Sequence, residues 1–362
     1  MKFCRFFLFP PAVRFCLLGL SLIGSLSVIS NPFSGSMNAE AQEQTSAVVS
    51  PDYRGWDYLA EKLLGAGTPA EEVAKIFSDP RMPSRTPVPF KLRPKETKQM
   101  YSGFTTESRL RIARECLSAH ASSFELAEKT YHVSKHVLAA LILIETHCGR
   151  IVGDNLTVNR LARVSSVGEP KNITFNLELL QKEDKSVTRE QVEARARYLE
   201  ETFFPELQAI FEVAERKNID IFDLKGSVAG AFGIPQFLPS SYLKFGVDGN
   251  HDGKVWLFDP EDGIASAAHF LHSFGWKDQA TAQEKKKVLW NYNRSDAYGD
   301  AVLKVAILLK QPRPEPVQKS KAQASNTRNA GTSNTGTKKK SHVIAKVPAK
   351  RSTQGTTKKK LT

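Results

Sequence analysis

The sequence predicts a mainly α-helical protein. Between residues 55 and 310 most apolar residues recur at helical spacing, which places them on one face of each helix. One segment, His136–Cys148, is almost wholly apolar and therefore predicts a buried helix. Few segments alternate apolar and polar residues, as a half-buried β-strand does. We expect one small β-hairpin at most, with a brief pairing over Lys254–Leu257.

Turn-forming and capping residues separate the predicted helices. A connector with five prolines, Asp79–Pro94, follows the first helical region. Ser134 is a predicted N-cap, Gly149 ends the buried helix, and Pro205 should break the longest helical region. The helical regions in chain order are 55–77, 106–131, 134–148, 188–217, 263–274 and 300–309.

Residues 1–41 have the features of a secretory signal peptide. Three basic residues accompany an apolar run from Phe15 to Ile29, and Ala39-Glu40-Ala41 offers a cleavage site. The run is short for a membrane-spanning helix. We expect an exported protein of the periplasm or cell envelope, with either a cleaved signal or a retained membrane anchor. Residues 42–311 then form the folded domain.

Residues 312–362 form a strongly basic tail. They hold thirteen Lys and Arg against one acid, Glu315, so the tail carries +12. Residues 1–41 carry +2 and the domain carries −1, which accounts for the net charge of +13. Few large apolar residues are present in the tail, which predicts disorder. We expect such a flexible polycation either to bind anionic envelope polymers or membrane surfaces, or to remain a solvated end without a partner. The predicted export, and the lack of aromatic residues among the lysines, argue against nucleic acid.

A twelve-residue loop beginning at Asp248 has the ligand spacing of an EF-hand. Oxygen-bearing side chains occupy positions one, three, five and twelve, a glycine occupies position six, and position seven would offer its carbonyl. Such a loop predicts a structural Ca²⁺ of weak affinity, with Na⁺ as the alternative ion, and we expect no organic cofactor. The predicted ligands are Asp248, Asn250, Asp252, Lys254 and Asp259.

Glu145 is an acidic residue in the last turn of the predicted buried helix. Burial and the negative end of the helix dipole both disfavour its charged form, so its proton should be held tightly. A carboxyl group that stays protonated near neutral pH is suited to general acid catalysis. The alternative is a glutamate turned to solvent at a helix end.

Two cysteines, Cys116 and Cys148, remain if the signal is removed. In an oxidising envelope they could pair, or they could stay as buried free thiols. Cys116 shares a helix face with His120, and His147 adjoins Cys148, so a zinc site is a third alternative.

Several motifs resemble the membrane-bound lytic murein transglycosylase B family. They are ILIETHCGRIVGDN from Ile142, KGSVAGAFGIPQFLPSSY from Lys225, the cation loop, and NYNRSDAYGDAV from Asn291, preceded by DPRMP and LRPKE. They stand in the family's order between Trp56 and Leu309. The resemblance implies a lysozyme-like helical domain with a deep glycan cleft. It also implies cleavage of the β-1,4 bond between N-acetylmuramic acid and N-acetylglucosamine in peptidoglycan, with formation of a 1,6-anhydro ring.

The resemblance also implies roles for individual residues. Glu145 matches the single catalytic acid and base, and the EF-hand-like loop matches a loop of the family. The residues that match the cleft lining, and so are expected to bind substrate, are Ser227, Gln236, Tyr292, Asn293 and Tyr298. We expect a monomer that acts on peptidoglycan glycan strands.

Three stretches depart from the family pattern. His147-Cys148 stands where an aromatic residue usually follows the catalytic glutamate, and His269-Phe270 replaces an Asn-Tyr pair. Between Arg163 and Phe204, a longer charged stretch replaces a short Pro-Arg-Arg segment, with Arg195 and Arg197 as candidate substitutes. Two other functions remain open: a hydrolase related to goose-type lysozyme, and a peptidoglycan-binding envelope protein without turnover.

Overall fold

The computed structural model describes residues 51–312. The predicted signal peptide, and the predicted tail after its first residue, lie outside this range. Thirteen α-helices occur within it. They are α1 (Asp57–Gly65), α2 (Ala70–Phe77), α3 (Lys98–Tyr101), α4 (Glu107–Ala119), α5 (Ala121–Tyr131), α6 (Lys135–Thr146), α7 (Thr157–Ser165), α8 (Pro170–Glu183), α9 (Arg189–Lys217), α10 (Pro239–Phe245), α11 (Pro260–Ser273), α12 (Ala282–Tyr292) and α13 (Asp296–Lys310).

Helix α6 lies at the centre of the core, as its apolar sequence predicts. Nine of its twelve residues are buried, and α4, α5, α11 and α13 pack around it. Ser134 caps its first turn by accepting a hydrogen bond from the His136 amide, which confirms the predicted N-cap. The helix ends at Thr146, three residues before the predicted stop at Gly149, because His147 already adopts a left-handed conformation.

The strands differ from the predicted hairpin. Two short strands, β1 (Asn155–Leu156) and β2 (Lys225–Gly226), pair antiparallel, with Asn155 opposite Gly226. Single bridges then join Gly226 to Phe232 and Phe232 to Phe237. Residues 254–257 form no strand. The pairing is therefore long-range, which local alternation of residues could not indicate.

Helix α9 runs unbroken through Pro205, so the predicted break is wrong. Proline lacks the amide that would bond to the carbonyl four residues earlier. Here that carbonyl belongs to Glu201, and both Glu201 and Pro205 are exposed. Water can satisfy the carbonyl on this side, while Phe203 and Leu207 keep the opposite side in the core.

The charged stretch between Arg163 and Phe204 folds into helix α8 and the first half of α9. Helix α8 fixes the proline-rich connector through two buried amides. The Val88 amide donates to Asn172 Oδ1 at 2.7 Å, and the Phe90 amide donates to Asn176 Oδ1 at 2.9 Å. Between Pro51 and Pro312, every helix is too short or too polar to span a bilayer.

Candidate active site

Glu145 lies half-buried in the last turn of α6. The helix stops sharply there because His147, Cys148 and Gly149 all have positive φ, at 52°, 60° and 78°. Two of these three are not glycine, so the turn must be held by contacts around it. The structure thus places the candidate acid at the edge of the core, between the buried and the solvent-facing alternatives, and its protonation stays a prediction.

A glycine- and proline-rich turn, residues 230–237, packs against this end of α6. The buried Thr146 hydroxyl donates to the Ile234 carbonyl at 2.9 Å. The Ile234 amide donates to the Leu257 carbonyl at 2.7 Å, which joins the turn to the end of the cation loop. Gly233 has a φ of 76°, and a Cβ there would lie 2.3 Å from Leu257 Cβ. Only glycine allows this approach.

Gln236 holds the turn with its own amide group. Its Nε2 donates to the Val152 carbonyl at 3.0 Å and to the Gly233 carbonyl at 2.9 Å. Both donors are therefore engaged within the protein, and the side-chain oxygen is the atom that can serve a ligand.

Tyr292, at the end of α12, connects the turn with Glu145. Its hydroxyl donates to the Pro235 carbonyl at 2.6 Å. Burial, and secondly the negative charge of Glu145, raise the pKa of Tyr292 well above its usual value. Tyr292 and the end of α6 contact the same turn, because the Tyr292 hydroxyl bonds to Pro235 and the Thr146 hydroxyl bonds to Ile234.

The Tyr298 ring stacks against the Tyr292 ring. It has no exposed surface, and its ring lies parallel to that of Tyr292, with centroids 6.4 Å apart and an angle of 11°. The Tyr101 ring packs edge-on against the Tyr298 ring, with centroids 6.0 Å apart. In this structure Tyr298 therefore shapes the site through Tyr292, where the sequence predicted a contact with substrate.

A second carboxylate, Glu96, lies beside this group and was not singled out from the sequence. Its Oε2 accepts a 2.5 Å hydrogen bond from the Tyr101 hydroxyl, and its Oε1 accepts one from Asn293 Nδ2 at 3.4 Å. Glu96 therefore orients the candidate cleft residue Asn293. The contact spans 197 positions in the chain, so no local sequence pattern could indicate it.

Ser227 lies at the start of the turn region, just after β2. Its Oγ accepts hydrogen bonds from the Ala229 amide at 3.3 Å and the Ala231 amide at 3.2 Å. Both bonds use the hydroxyl as an acceptor, so its hydrogen remains available for donation. Ser227 is half-buried, in a position to offer this donor.

The predicted cation loop is closed by hydrogen bonds from its own backbone. Asp248 accepts from the Gly253 amide at 2.8 Å, and Asp252 accepts from the Lys254 amide at 2.8 Å. Asn250 Oδ1 accepts from the Asp252 amide at 3.0 Å. Within residues 51–312, no group of three or more His, Cys, Asp or Glu side chains is arranged to hold a metal ion, so the loop would have to rearrange around a cation.

Asp259, the predicted last ligand, caps helix α11 with one of its oxygens, because Oδ1 accepts from the Glu261 amide. A further acid, Asp262, is only 1 % exposed and contacts the loop backbone. Its two oxygens accept from the Gly249 amide at 2.8 Å and the Trp256 amide at 2.5 Å. The sequence pattern missed Asp262 because it stands three residues after the EF-hand's last ligand position, where the first turn of α11 carries it back.

His147 and Phe270, two of the residues at which the sequence departs from the family pattern, each pack against an aromatic ring. The His147 ring packs against Phe104, with centroids 5.4 Å apart. Phe270 lies against the Tyr292 ring, with centroids 4.8 Å apart, and is buried. Phe270 therefore supports Tyr292 through an apolar contact and offers no hydroxyl to the site.

The sequence of this chain matches the model of a known family. Residues 52–287 match the transglycosylase SLT domain. The chain belongs to this family. Membrane-bound lytic murein transglycosylase B of Escherichia coli K12 is 33% identical over 150 residues, which cover 41% of this chain and 34% of that protein. The match thus spans about a third of the curated relative.

Solved structures of lytic transglycosylases share the fold. The E. coli enzyme SLT35, in a complex with bulgecin A, superimposes with a TM-score of 0.53 at 19% identity, covering 72% of this chain and 95% of that one. Pseudomonas aeruginosa SltB1 gives a TM-score of 0.51 at 21% identity, covering 71% and 98%. The mainly helical, lysozyme-like architecture predicted from the sequence is confirmed.

Proposed function

We propose that this protein is a peptidoglycan lytic transglycosylase in which Glu145 is the single general acid and base. One observation carries the proposal: a half-buried carboxylate ends the central helix of a transglycosylase-family fold, next to the turn that carries Gln236 and is bonded to Thr146 and Tyr292. The substrate is the β-1,4 bond between N-acetylmuramic acid and N-acetylglucosamine.

The reaction needs one carboxylate because the substrate supplies its own nucleophile. Ordinary glycosidases use two carboxyl groups, one as acid and one as nucleophile or base. Here Glu145 donates its proton to the leaving glycosidic oxygen as the bond to the anomeric carbon breaks. The resulting carboxylate takes the proton from the C6 hydroxyl of the muramic acid residue. That hydroxyl oxygen bonds to the anomeric carbon, closes the 1,6-anhydro ring and restores the protonated acid.

The surrounding residues position the substrate. The Gln236 side-chain oxygen accepts from an N-acetyl N–H group, because its own N–H donors are engaged. The Ser227 hydroxyl donates to a sugar or amide oxygen. Tyr292 keeps the turn in place through Pro235, and Tyr298 and Phe270 keep Tyr292 in place.

The relatives support this substrate class. The E. coli relative is named for murein, and P. aeruginosa SltB3 was solved in a complex with NAG-anhNAM-pentapeptide. An anhydro sugar in such a complex is the product type that the single-carboxylate reaction yields.

Product analysis tests the proposal. Purified peptidoglycan is digested with the wild-type protein and with Glu145→Gln, and the soluble fragments are analysed by mass spectrometry. The proposal predicts fragments ending in anhydro-muramic acid, about 18 Da lighter than their hydrolysed counterparts, and none from the variant. Hydrated products alone would identify a hydrolase. Binding to peptidoglycan without soluble product would identify a binding protein.

For the loop, we propose a structural Ca²⁺ held by Asp248, Asn250, Asp252 and Asp262, with the carbonyl of Lys254 as a further ligand. The donors are all oxygens, which suits a hard cation. Burial, and the neighbouring charges of Asp259 and Asp248, raise the pKa of Asp262, and a cation would relieve this unfavourable burial of negative charge. One solved neighbour, SLT35 of E. coli, was crystallised in a complex with calcium.

We also propose that the protein acts in the cell envelope. Residues 1–41 would direct export, residues 42–311 would form a monomeric catalytic domain, and residues 312–362 would bind anionic polymers or membrane surfaces. The E. coli relative is described as membrane-bound. Fractionation of cells that express the full chain tests this. Recovery of the protein in the cytosol, with residues 1–41 intact, would contradict it.

A further inference from the structure

Trp256 presents a flat aromatic ring on the surface, beside the cation loop. It is 42 % exposed, whereas Trp56 and Trp276 are buried. Its indole N–H has no hydrogen-bond partner within residues 51–312, while the indole N–H groups of Trp56 and Trp276 each donate to an oxygen of the protein. Trp256 therefore offers an apolar ring face and an available donor to a molecule outside the chain.

A series of aromatic rings supports Trp256 from within the fold. The centroid of its ring lies 4.8 Å from that of Phe258, and the Phe258 centroid lies 6.5 Å from that of the buried Phe232. Phe232 belongs to the turn that carries Gln236, and its amide donates to the Phe237 carbonyl at 2.9 Å. The rings thus connect an exposed aromatic surface with the turn that holds the candidate sugar-binding amide.

The backbone at Trp256 is fixed by hydrogen bonds. Its amide donates to Asp262 Oδ2 at 2.5 Å, and its carbonyl accepts from the Asp259 amide at 2.8 Å, which closes a four-residue turn. The carbonyl of the next residue, Leu257, accepts from the Ile234 amide at 2.7 Å. A ring on a fixed backbone loses little conformational freedom when a ligand packs against it, so the entropic cost of binding is small.

The charge around Trp256 favours an uncharged ligand. Residues 248–262 contain five acids and one base, Lys254, so this segment has a formal charge of −4, which one bound Ca²⁺ would reduce only to −2. Such a segment repels an anionic lipid surface. An aromatic ring packs against the C–H face of a neutral pyranose ring, while the hydroxyl groups of the sugar stay in water.

We propose that Trp256, supported by Phe258, stacks against a pyranose ring of the peptidoglycan glycan strand. This inference rests on the proposed function, since it assigns a further contact with the same substrate. Trp256 helps to hold the strand and takes no part in proton transfer. Its loss should therefore appear in KM for peptidoglycan rather than in kcat.

The test measures binding of a soluble β-1,4-linked hexamer of N-acetylglucosamine to the full chain by isothermal titration calorimetry. The hexamer is uncharged, so the basic tail does not contribute, and without muramic acid it lacks the bond that the proposed reaction breaks. Trp256→Ala should raise the Kd about tenfold. Trp256→Phe keeps a flat ring and should raise it less. An unchanged Kd in Trp256→Ala, or no binding to the wild-type protein, would overturn the proposal.

Trp290 supplies a matched control. It is 43 % exposed, and its indole N–H also lacks a hydrogen-bond partner in the described part of the chain. It stands two positions before Tyr292 on α12, roughly 200° around the helix axis, so the two side chains leave the helix on opposite sides. Trp290→Ala should leave the Kd of the hexamer unchanged. An equal rise in the Kd of both alanine variants would overturn the assignment to Trp256.

Tryptophan fluorescence reports on the contact directly. Addition of the hexamer covers an exposed indole, so the emission of the wild-type protein should move to shorter wavelength. The same shift should occur in Trp290→Phe and be absent from Trp256→Phe. A shift that persists in Trp256→Phe would overturn the proposal, and this comparison requires no change in the size of the core.

Two further outcomes separate this contact from the other possibilities. Hexamer binding that depends on Trp256, in a protein that releases no muropeptides, would support the contact and refute the proposed function. Sedimentation with vesicles of phosphatidylglycerol and phosphatidylethanolamine tests a membrane surface as the partner. Vesicle binding that is lost in Trp256→Ala, together with an unchanged Kd for the hexamer, would overturn the glycan contact.

Discussion

The Tyr292 hydroxyl donates a 2.6 Å hydrogen bond to the carbonyl of Pro235. This bond joins the end of α12 to the turn that carries Gln236, and the same hydroxyl experiences the charge of Glu145. The turn is held on its other side by Thr146, the residue after Glu145. The candidate acid and the candidate sugar-binding amide are therefore held in one hydrogen-bonded frame.

Replacement of the candidate acid should stop the reaction and leave the fold intact. Glu145→Gln keeps the shape of the side chain but removes the transferable proton, so release of soluble muropeptides should fall by about 10²- to 10⁴-fold. Sedimentation with insoluble peptidoglycan should be unchanged. The exposed Glu61 provides a control, because Glu61→Gln removes one negative charge far from the turn in sequence. Full activity in Glu145→Gln would show that another residue is the acid.

The Tyr292 hydroxyl is expected to contribute to stability as well as to activity. Tyr292→Phe leaves the Pro235 carbonyl without this donor, and we expect a loss of about 1–3 kcal/mol in the free energy of unfolding. Urea denaturation measures it. Tyr198→Phe is the matched control, because the Tyr198 ring contacts Arg195 and no hydrogen bond of its hydroxyl occurs within residues 51–312. Equal stability of both variants and wild type would contradict the proposed frame.

Glu96 is expected to act as a positioning residue. Glu96→Ala removes the acceptor for both Asn293 and Tyr101, so kcat for muropeptide release should fall by about tenfold, equivalent to roughly 1.4 kcal/mol. Glu96→Gln keeps one acceptor oxygen and should restore part of the activity. A purely structural role would lower the Tm of Glu96→Ala and leave kcat of the folded fraction unchanged, which would refute this assignment.

The calcium prediction distinguishes two aspartates that are three residues apart. Wild-type protein should have a higher Tm with Ca²⁺ than with a chelator. At a hundredfold excess of Ca²⁺ over its Kd, the gain in the free energy of unfolding should be about 2.7 kcal/mol. Asp262→Asn should abolish this difference. Asp259→Asn should preserve it, because asparagine also caps a helix and Asp259 serves α11. If Asp259→Asn loses the calcium-dependent difference and Asp262→Asn keeps it, Asp259 is the ligand. A wild-type Tm that is the same with Ca²⁺ and with a chelator would show that the loop binds no calcium.

Glu206 should make stability depend on pH. It is 5 % exposed, and burial raises its pKa, although hydrogen bonds from Ser240 oppose the shift. The folded protein therefore binds this proton more tightly than the unfolded chain does. Its contribution to stability is fully present below the unfolded pKa, about 4.3, and is lost as pH rises through the raised value.

The test compares Glu206→Gln with wild type in urea at several pH values. Glutamine retains an acceptor for the Ser240 amide but cannot ionise. The free energy of unfolding of the variant relative to wild type should therefore rise between about pH 4 and about pH 7. A difference that stays constant across this range would show that the pKa of Glu206 is the same in the folded and unfolded protein.

Local sequence patterns predicted the parts of the fold that depend on short-range periodicity. The buried helix containing Glu145, its Ser134 cap and the final helix are such features. Pro205 shows the limit of this approach, since local rules predict a break and only its exposure in the folded protein permits the helix to continue. Helix α8 was also missed, because its role is to bind the distant Val88 and Phe90 backbone.

The sequence by itself determined the helical class, the candidate acid and the residues that match a family of peptidoglycan enzymes, because each of these resides in neighbouring positions of the chain. Only the tertiary structure decided that Glu96 orients Asn293, that Asp262 contacts the cation loop, and that Asn172 binds the proline-rich connector. Each of these contacts joins residues from different elements, or depends on which way a helix turns. Packing of the whole chain is what brings such side chains together.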